Sequence, residues 1–184
     1  MGNFYPVFQD KRWMSMTGKT HAAAGAFAGA LAGRLIGDPL TGMAIGAVAA
    51  LLPDVDHPGS YVGRRLRPVS VLLEMAAGHR TVTHTVWFCA VVGILAALVS
   101  TLARPYTAVL HLPWWPTWPA AGLDAFLGAL SHLALDALTR SGVEPLAPLL
   151  PLRLRGPLET GDPLVELPAA TLFALAALRL AGAV

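Results

Sequence analysis

Five long apolar stretches divide the chain, at residues 21–36, 40–52, 82–103, 119–138 and 164–181, and the tracts between them hold most of its charge. A helix that crosses hydrocarbon needs about 20 residues, so the last three are long enough to span. The first two are short and read as a tilted or re-entrant hairpin. Their packing is written in glycine: Gly25, Gly29, Gly33 and Gly37 recur every fourth residue, and Gly42 and Gly46 repeat the interval. Small residues at this spacing let helix backbones approach closely in lipid. The pattern predicts an all-α integral membrane bundle of about five hydrophobic helices, the first two short and Gly-rich. Residues 1–15, with Lys11 and Arg12, read as a cytosolic arm, and residues 16–184 as a single helical membrane domain. Met1 and Met16 both remain open as the starting residue.

Composition agrees with this class. The chain is 55% hydrophobic and 13% charged, with a mean hydropathy of +0.58, whereas a soluble domain is about a quarter charged. The first stretch is no cleaved signal, because the chain after it goes on crossing the membrane. A net charge of +2 with arginines confined largely to loops argues against a nucleic-acid partner. Cys89 is the one cysteine, which excludes a disulfide framework and a cysteine-based metal knuckle. Any metal site has to be built from histidine and carboxylate.

The basic residues orient the chain. Lys11, Arg12 and Lys19 precede the first stretch, Arg64, Arg65, Arg67 and Arg80 precede the third, and Arg140, Arg153 and Arg155 follow the fourth. The loop between the third and fourth carries only Arg104, together with Trp114, Trp115 and Trp118. By the positive-inside rule the basic loops are cytoplasmic and the tryptophans form an interfacial belt on the other face.

This orientation gathers the polar residues that most need explaining. Five of the six histidines, together with Asp54, Asp56 and Asp136, flank the apolar stretches at their cytoplasmic ends. Ionisable groups at such depth are costly unless they pair, bind metal or face a wet cavity, and imidazole with carboxylate is a donor set that zinc-like metals accept. His21 continues the glycine row one step earlier, which turns it toward the packed interior; an interfacial histidine that merely meets water is the plain alternative. Asp54, Asp56 and His57 lie within four positions after the second stretch and can chelate or bridge cations; an ordinary Asp-Pro turn is the plain alternative. His79 and His84 converge if a helix begins between them, and Arg80 supplies a cation for an anionic substrate or snorkels as a loop charge. In the fourth stretch Asp124, Gly128, His132, Asp136 and Arg140 follow at intervals of four. His132 and Asp136 therefore share a face about 6 Å apart, whereas Asp124 reads as a structural partner.

The ordered set made of His21, residues 53–57, residues 79–84, residues 131–136, Thr139 and Gly142 resembles the YdjM family of bacterial inner-membrane proteins. The resemblance covers nearly everything from Met16 onward. It implies a membrane-bound metal-dependent hydrolase, in some bacteria induced with the DNA-damage response. Gly161 and Glu166 resemble the family's closing motif, which makes Glu166 a secondary ligand. A more distant similarity, carried by the His-x-x-x-Asp pair at His132 and Asp136, is to zinc-dependent phospholipase C and the S1/P1 nucleases. The expected ligands are thus His21, Asp54, Asp56, His57, His79, His84, His132, Asp136 and Glu166, holding a divalent metal, zinc first, and more than one ion. The expected chemistry is hydrolysis of a phosphoester in a lipid or lipid-linked headgroup at the cytoplasmic leaflet of the inner membrane. Asp56 would orient water and Arg80 would pair with the substrate anion. No Gly-x-Ser-x-Gly elbow or Walker-type loop competes with this reading. Two other classes stay open: a divalent-metal transporter or sensor, and a structural membrane protein with a metal staple.

Overall fold

The computed structural model describes residues 17–77, 82–159 and 161–184. Six helices follow in order: α1 (Gly18–Ile36), α2 (Pro39–Ala49), α3 (Arg67–Ala77), α4 (Val86–Val109), α5 (Trp118–Ala137) and α6 (Pro163–Leu180), with a 3-10 turn at Pro53–Asp56 after α2. The described residues contain no strand, only the isolated bridges Thr139 to Leu158 and Val143 to Leu154. All five expected hydrophobic helices form, and the bundle is helical throughout. Three stretches, Pro39–Asp56, Val86–Val109 and Pro163–Leu180, are long and apolar enough to cross a bilayer. The first of these differs from the short hairpin arm expected, because the 3-10 turn lengthens α2. α5, at 20 residues, is about 30 Å long, but Asp124 and Asp136 dilute its apolarity.

Local chemistry fixes where the helices begin. Asp38 caps α2, its carboxylate accepting from the Thr41 amide and hydroxyl at 2.7 Å each, with Pro39 pre-set in the first helical position. These two bonds hold the Asp38 carboxyl below the usual carboxylate range. Thr85 caps α4 by accepting from the Phe88 amide, and Asp162 caps α6 ahead of Pro163. The start of α1 is capped from a distance: the Glu166 carboxylate of α6 accepts from the Thr17 amide at 3.1 and 3.2 Å.

Glycine decides how α1, α2 and α5 pack. A methyl group added at Gly25 would collide with the Gly46 carbonyl, and one at Gly29 with the Gly42 carbonyl. On the other side of α2, a methyl at Gly128 would lie 2.5 Å from the Gly46 oxygen and 2.6 Å from its Cα. Gly46 is therefore pinched between α1 and α5, backbone against backbone. One turn beyond this contact, His132 of α5 meets Ala50 at the end of α2. A small core of Ala49, Cys89, Val92, Ala125, Ala129, Leu133 and Val143 joins α4 to the trio, and Phe27 meets Phe173 between α1 and α6.

The pinch predicts a sharp contrast. Gly46→Ala and Gly128→Ala should each destabilise by about 1–3 kcal/mol, the usual cost of overpacking. Gly18→Ala, whose new methyl meets only Leu51 at 3.6 Å and Tyr61 at 3.8 Å, should leave stability within about 0.5 kcal/mol. Thermal unfolding in detergent of the three variants tests this; an unchanged midpoint for Gly128→Ala would show that α5 can move off α2 freely.

Candidate metal centre

Four separate segments meet at one end of this packed trio. His21 comes from the first turn of α1, Asp54 and Asp56 from the 3-10 turn, His84 from the residues leading into α4, and His132 and Asp136 from the last turns of α5. His21, His84, His132 and Asp136 are 0% exposed, and Asp54 and Asp56 are buried with them.

The ring nitrogens point inward for identifiable reasons. His132 Nδ1 lies 2.8 Å from the Ala50 carbonyl oxygen. A carbonyl only accepts, so Nδ1 carries the proton, and in the neutral ring Nε2 is the nitrogen with the lone pair. The hydroxyl of Thr83 donates to Asp56 Oδ2 at 2.8 Å and sits 3.1 Å from His84 Nδ1. With its hydrogen given to the carboxylate, that hydroxyl accepts from His84 Nδ1–H, which again turns Nε2 toward the other rings and carboxylates. Burial also pushes the His84 imidazole down toward its neutral form, opposed by the nearby Asp54 carboxylate.

Those Nε2 atoms converge. His132 Nε2 is 3.3 Å from His84 Nε2 and 3.6 Å from both Asp54 Oδ1 and Asp136 Oδ2. His84 Nε2 is 3.5 Å from Asp136 Oδ2 and 3.6 Å from Asp54 Oδ1. On the other side, His21 Nε2 is 3.6 Å from Asp136 Oδ1, and its ring stacks on that of His132 with centroids 3.7 Å apart. Separations of this size are long for hydrogen bonds. They match the spacing of neighbouring ligands on one ion, since two donors each about 2.0–2.1 Å from a tetrahedral metal lie about 3.4 Å apart. Both ring nitrogens of His21 and Oδ1 of Asp54 are buried without a hydrogen-bond partner. Two overlapping groups, His21 with His132 and Asp136, and Asp54 with His84 and His132, can each hold a metal ion. The donor set is imidazole and carboxylate throughout, so the residues fit such an ion.

Other expected site residues fall elsewhere. Asp56 stands behind His84, bonded through Thr83 to the Nδ1 side of the ring and outside both groups. His57 is exposed and likewise outside them. Glu166 is buried, but its oxygens accept from the Thr17 amide, the Thr20 hydroxyl and the Gly161 amide, a clasp between α6 and α1. Asp124 lies apart, buried against Gly42. His79 and Arg80 lie outside the described residues. Thr83 and the Ala50 carbonyl were not foreseen; the hydroxyl preceding His84 was the only signal available.

The fold and the centre together define a helical membrane protein with a buried histidine–aspartate cluster suited to a metal ion. The sequence profile of the family described as YdjM inner membrane protein matches residues 16–183, and the chain belongs to that family. It is 35% identical over 144 residues to the uncharacterized protein YvsG of Bacillus subtilis (strain 168), covering 78% of this chain and 79% of that one. Inner membrane protein YdjM of Escherichia coli (strain K12) is 39% identical over 102 residues, as is that of Shigella flexneri; the match covers 55% of this chain and 46% of each relative, about half their length. No solved structure matches the chain.

The geometry makes a quantitative demand on the centre. His132→Ala and Asp136→Ala should each remove most of the bound metal, while Thr83→Val, which only releases the His84 ring, should weaken it about 10–100-fold. His111→Ala, an exposed residue at the far end of α4, should retain a full complement. Elemental analysis of purified protein decides: full metal in the Asp136 variant rules out the assignment.

Proposed function

We propose that the chain is a membrane-bound metal-dependent hydrolase that cleaves a phosphoester of a lipid or lipid-linked substrate at the cytoplasmic leaflet. The observation that supports this reading is the convergence of His21, Asp54, His84, His132 and Asp136 from four segments at one end of the bundle. Imidazole and carboxylate ligands favour zinc. Asp136 turns Oδ1 to His21 and Oδ2 to His84 and His132, so its carboxylate would be available to an ion held from either side of the cluster. Bound there, the metal supplies a Lewis acid for the phosphoryl oxygen and lowers the pKa of water toward neutrality.

The chain's own residues do the rest. His132 and His84 are held in one tautomer by Ala50 and by Thr83, so they present lone pairs without rearrangement. Asp56, linked to His84 through Thr83, anchors that ring and is assigned to orient the attacking water or accept its proton. Arg80 is assigned to the substrate's anionic group, a role arginine's planar fork suits. Family membership and the arginine asymmetry of the loops support an inner-membrane protein with this end facing the cytoplasm.

The complete burial of the ligating side chains favours a second reading, a closed metal staple that serves the fold alone. Turnover separates the two. With zinc-loaded protein in liposomes, the hydrolase reading expects cleavage of a phospholipid or lipid-linked phosphate, reduced about 100-fold or more in Asp56→Asn at unchanged metal content. Absence of turnover across a broad phosphoester screen, with metal removal unfolding the bundle, would establish the staple. Metal flux without ester cleavage would identify a transporter.

A further inference from the structure

The helix α3 takes no part in the metal centre, and its two faces differ. At 11 residues it is far too short to span a bilayer. Ser70 is wholly buried, and the helix packs on the 3-10 turn that carries Asp54 and Asp56. Val69, Leu72 and Met75 are 48%, 66% and 79% exposed. At three-residue spacing they line one outward face. Glu74, two residues from Leu72, stands about 200° around the helix, nearly opposite.

The segment leading into α3 carries positive charge only. Arg64, Arg65 and Arg67 are exposed. Arg65 lies over the half-exposed Tyr61 ring, 3.9 Å from its centroid, and donates from Nη1 to the Tyr61 carbonyl at 3.1 Å. An outward apolar stripe, preceded in the chain by an aromatic ring and three exposed arginines, is what a helix lying in a bilayer interface presents. Clustered arginines beside such a helix recognise anionic headgroups.

We propose that α3 and the turn before it form an in-plane anchor for anionic phospholipid, with Val69, Leu72 and Met75 sunk among the acyl chains and Arg64, Arg65 and Arg67 at the phosphates. Because α3 packs on the 3-10 turn that carries Asp54, the anchor sets the metal centre level with the headgroups. This holds whether the centre is catalytic or structural.

Nitroxide labels at single cysteines replacing Val69, Leu72, Met75 or Glu74, in a Cys89→Ala chain reconstituted into nanodiscs, test the anchor. In phosphatidylglycerol discs, labels at Leu72 and Met75 should respond to oxygen and be shielded from a water-soluble nickel relaxant at least about threefold better than the label at Glu74. The shielding should fall in pure phosphatidylcholine and in the combined Arg64→Gln, Arg65→Gln, Arg67→Gln chain, whose helix content and metal content report that the fold is intact. Leu72 open to nickel in phosphatidylglycerol overturns the proposal. So does a label shielded from both reagents, which would mean a protein partner, or immersion indifferent to lipid charge and to the arginines.

Discussion

One backbone contact governs this molecule: Gly46 of α2, held bare between Gly25 and Gly29 of α1 and Gly128 of α5. In lipid there is little hydrophobic gain from bringing helices together, so close packing of backbones has to supply the association. A single methyl would separate the helices. Because α2 and α5 touch at Gly46 and Gly128, the residues one turn further along, Ala50 and His132, fall within hydrogen-bond distance. The same register that packs the bundle therefore fixes the tautomer of its central histidine. Gly25 is likewise one turn from His21, which delivers that ring onto His132.

The cluster so assembled is expensive on its own terms. Both ring nitrogens of His21 and Oδ1 of Asp54 are buried without a hydrogen-bond partner, and a buried polar group left so costs on the order of 1–3 kcal/mol. A cation held there would give such atoms a partner. The surrounding chain is built to keep the arrangement in place without it: Asp56 and Thr83 hold one ring, Ala50 another, and the Glu166 clasp secures the end of α1 where His21 stands. The described side chains thus divide into those that face the centre and those that hold the facing ones still.

Much of this was legible in the sequence because hydropathy and four-residue spacing are local properties. The five hydrophobic helices followed from run length, the α1–α2 packing from the glycine row, and the His132–Asp136 pair from its interval of four. What escaped depends on three-dimensional detail. α3 escaped because an 11-residue amphipathic helix leaves no long apolar run. Glu166 reads as a ligand from its position in a motif, yet it is spent on the amides of Thr17 and Gly161, and only the docking of α6 against α1 reveals that. His57 shares a hexapeptide with two buried aspartates, but the 3-10 turn ends at Asp56 and His57 leaves in an extended conformation toward solvent. Asp56 reads from the sequence as a ligand and as the carboxylate that handles water; what the sequence does not reveal is the Thr83 hydroxyl that joins it to His84.

The central claim is that these buried residues are ligands of one metal centre, and X-ray absorption at the metal edge of zinc-loaded protein tests it most directly. The account predicts a first shell of nitrogen and oxygen only, at about 2.0–2.1 Å, with the outer-shell scattering of at least two imidazoles. In the double variant His84→Ala, His132→Ala the protein-bound metal signal itself should be largely lost. A shell containing sulfur, or an oxygen-only shell without imidazole scattering in the native chain, would contradict it.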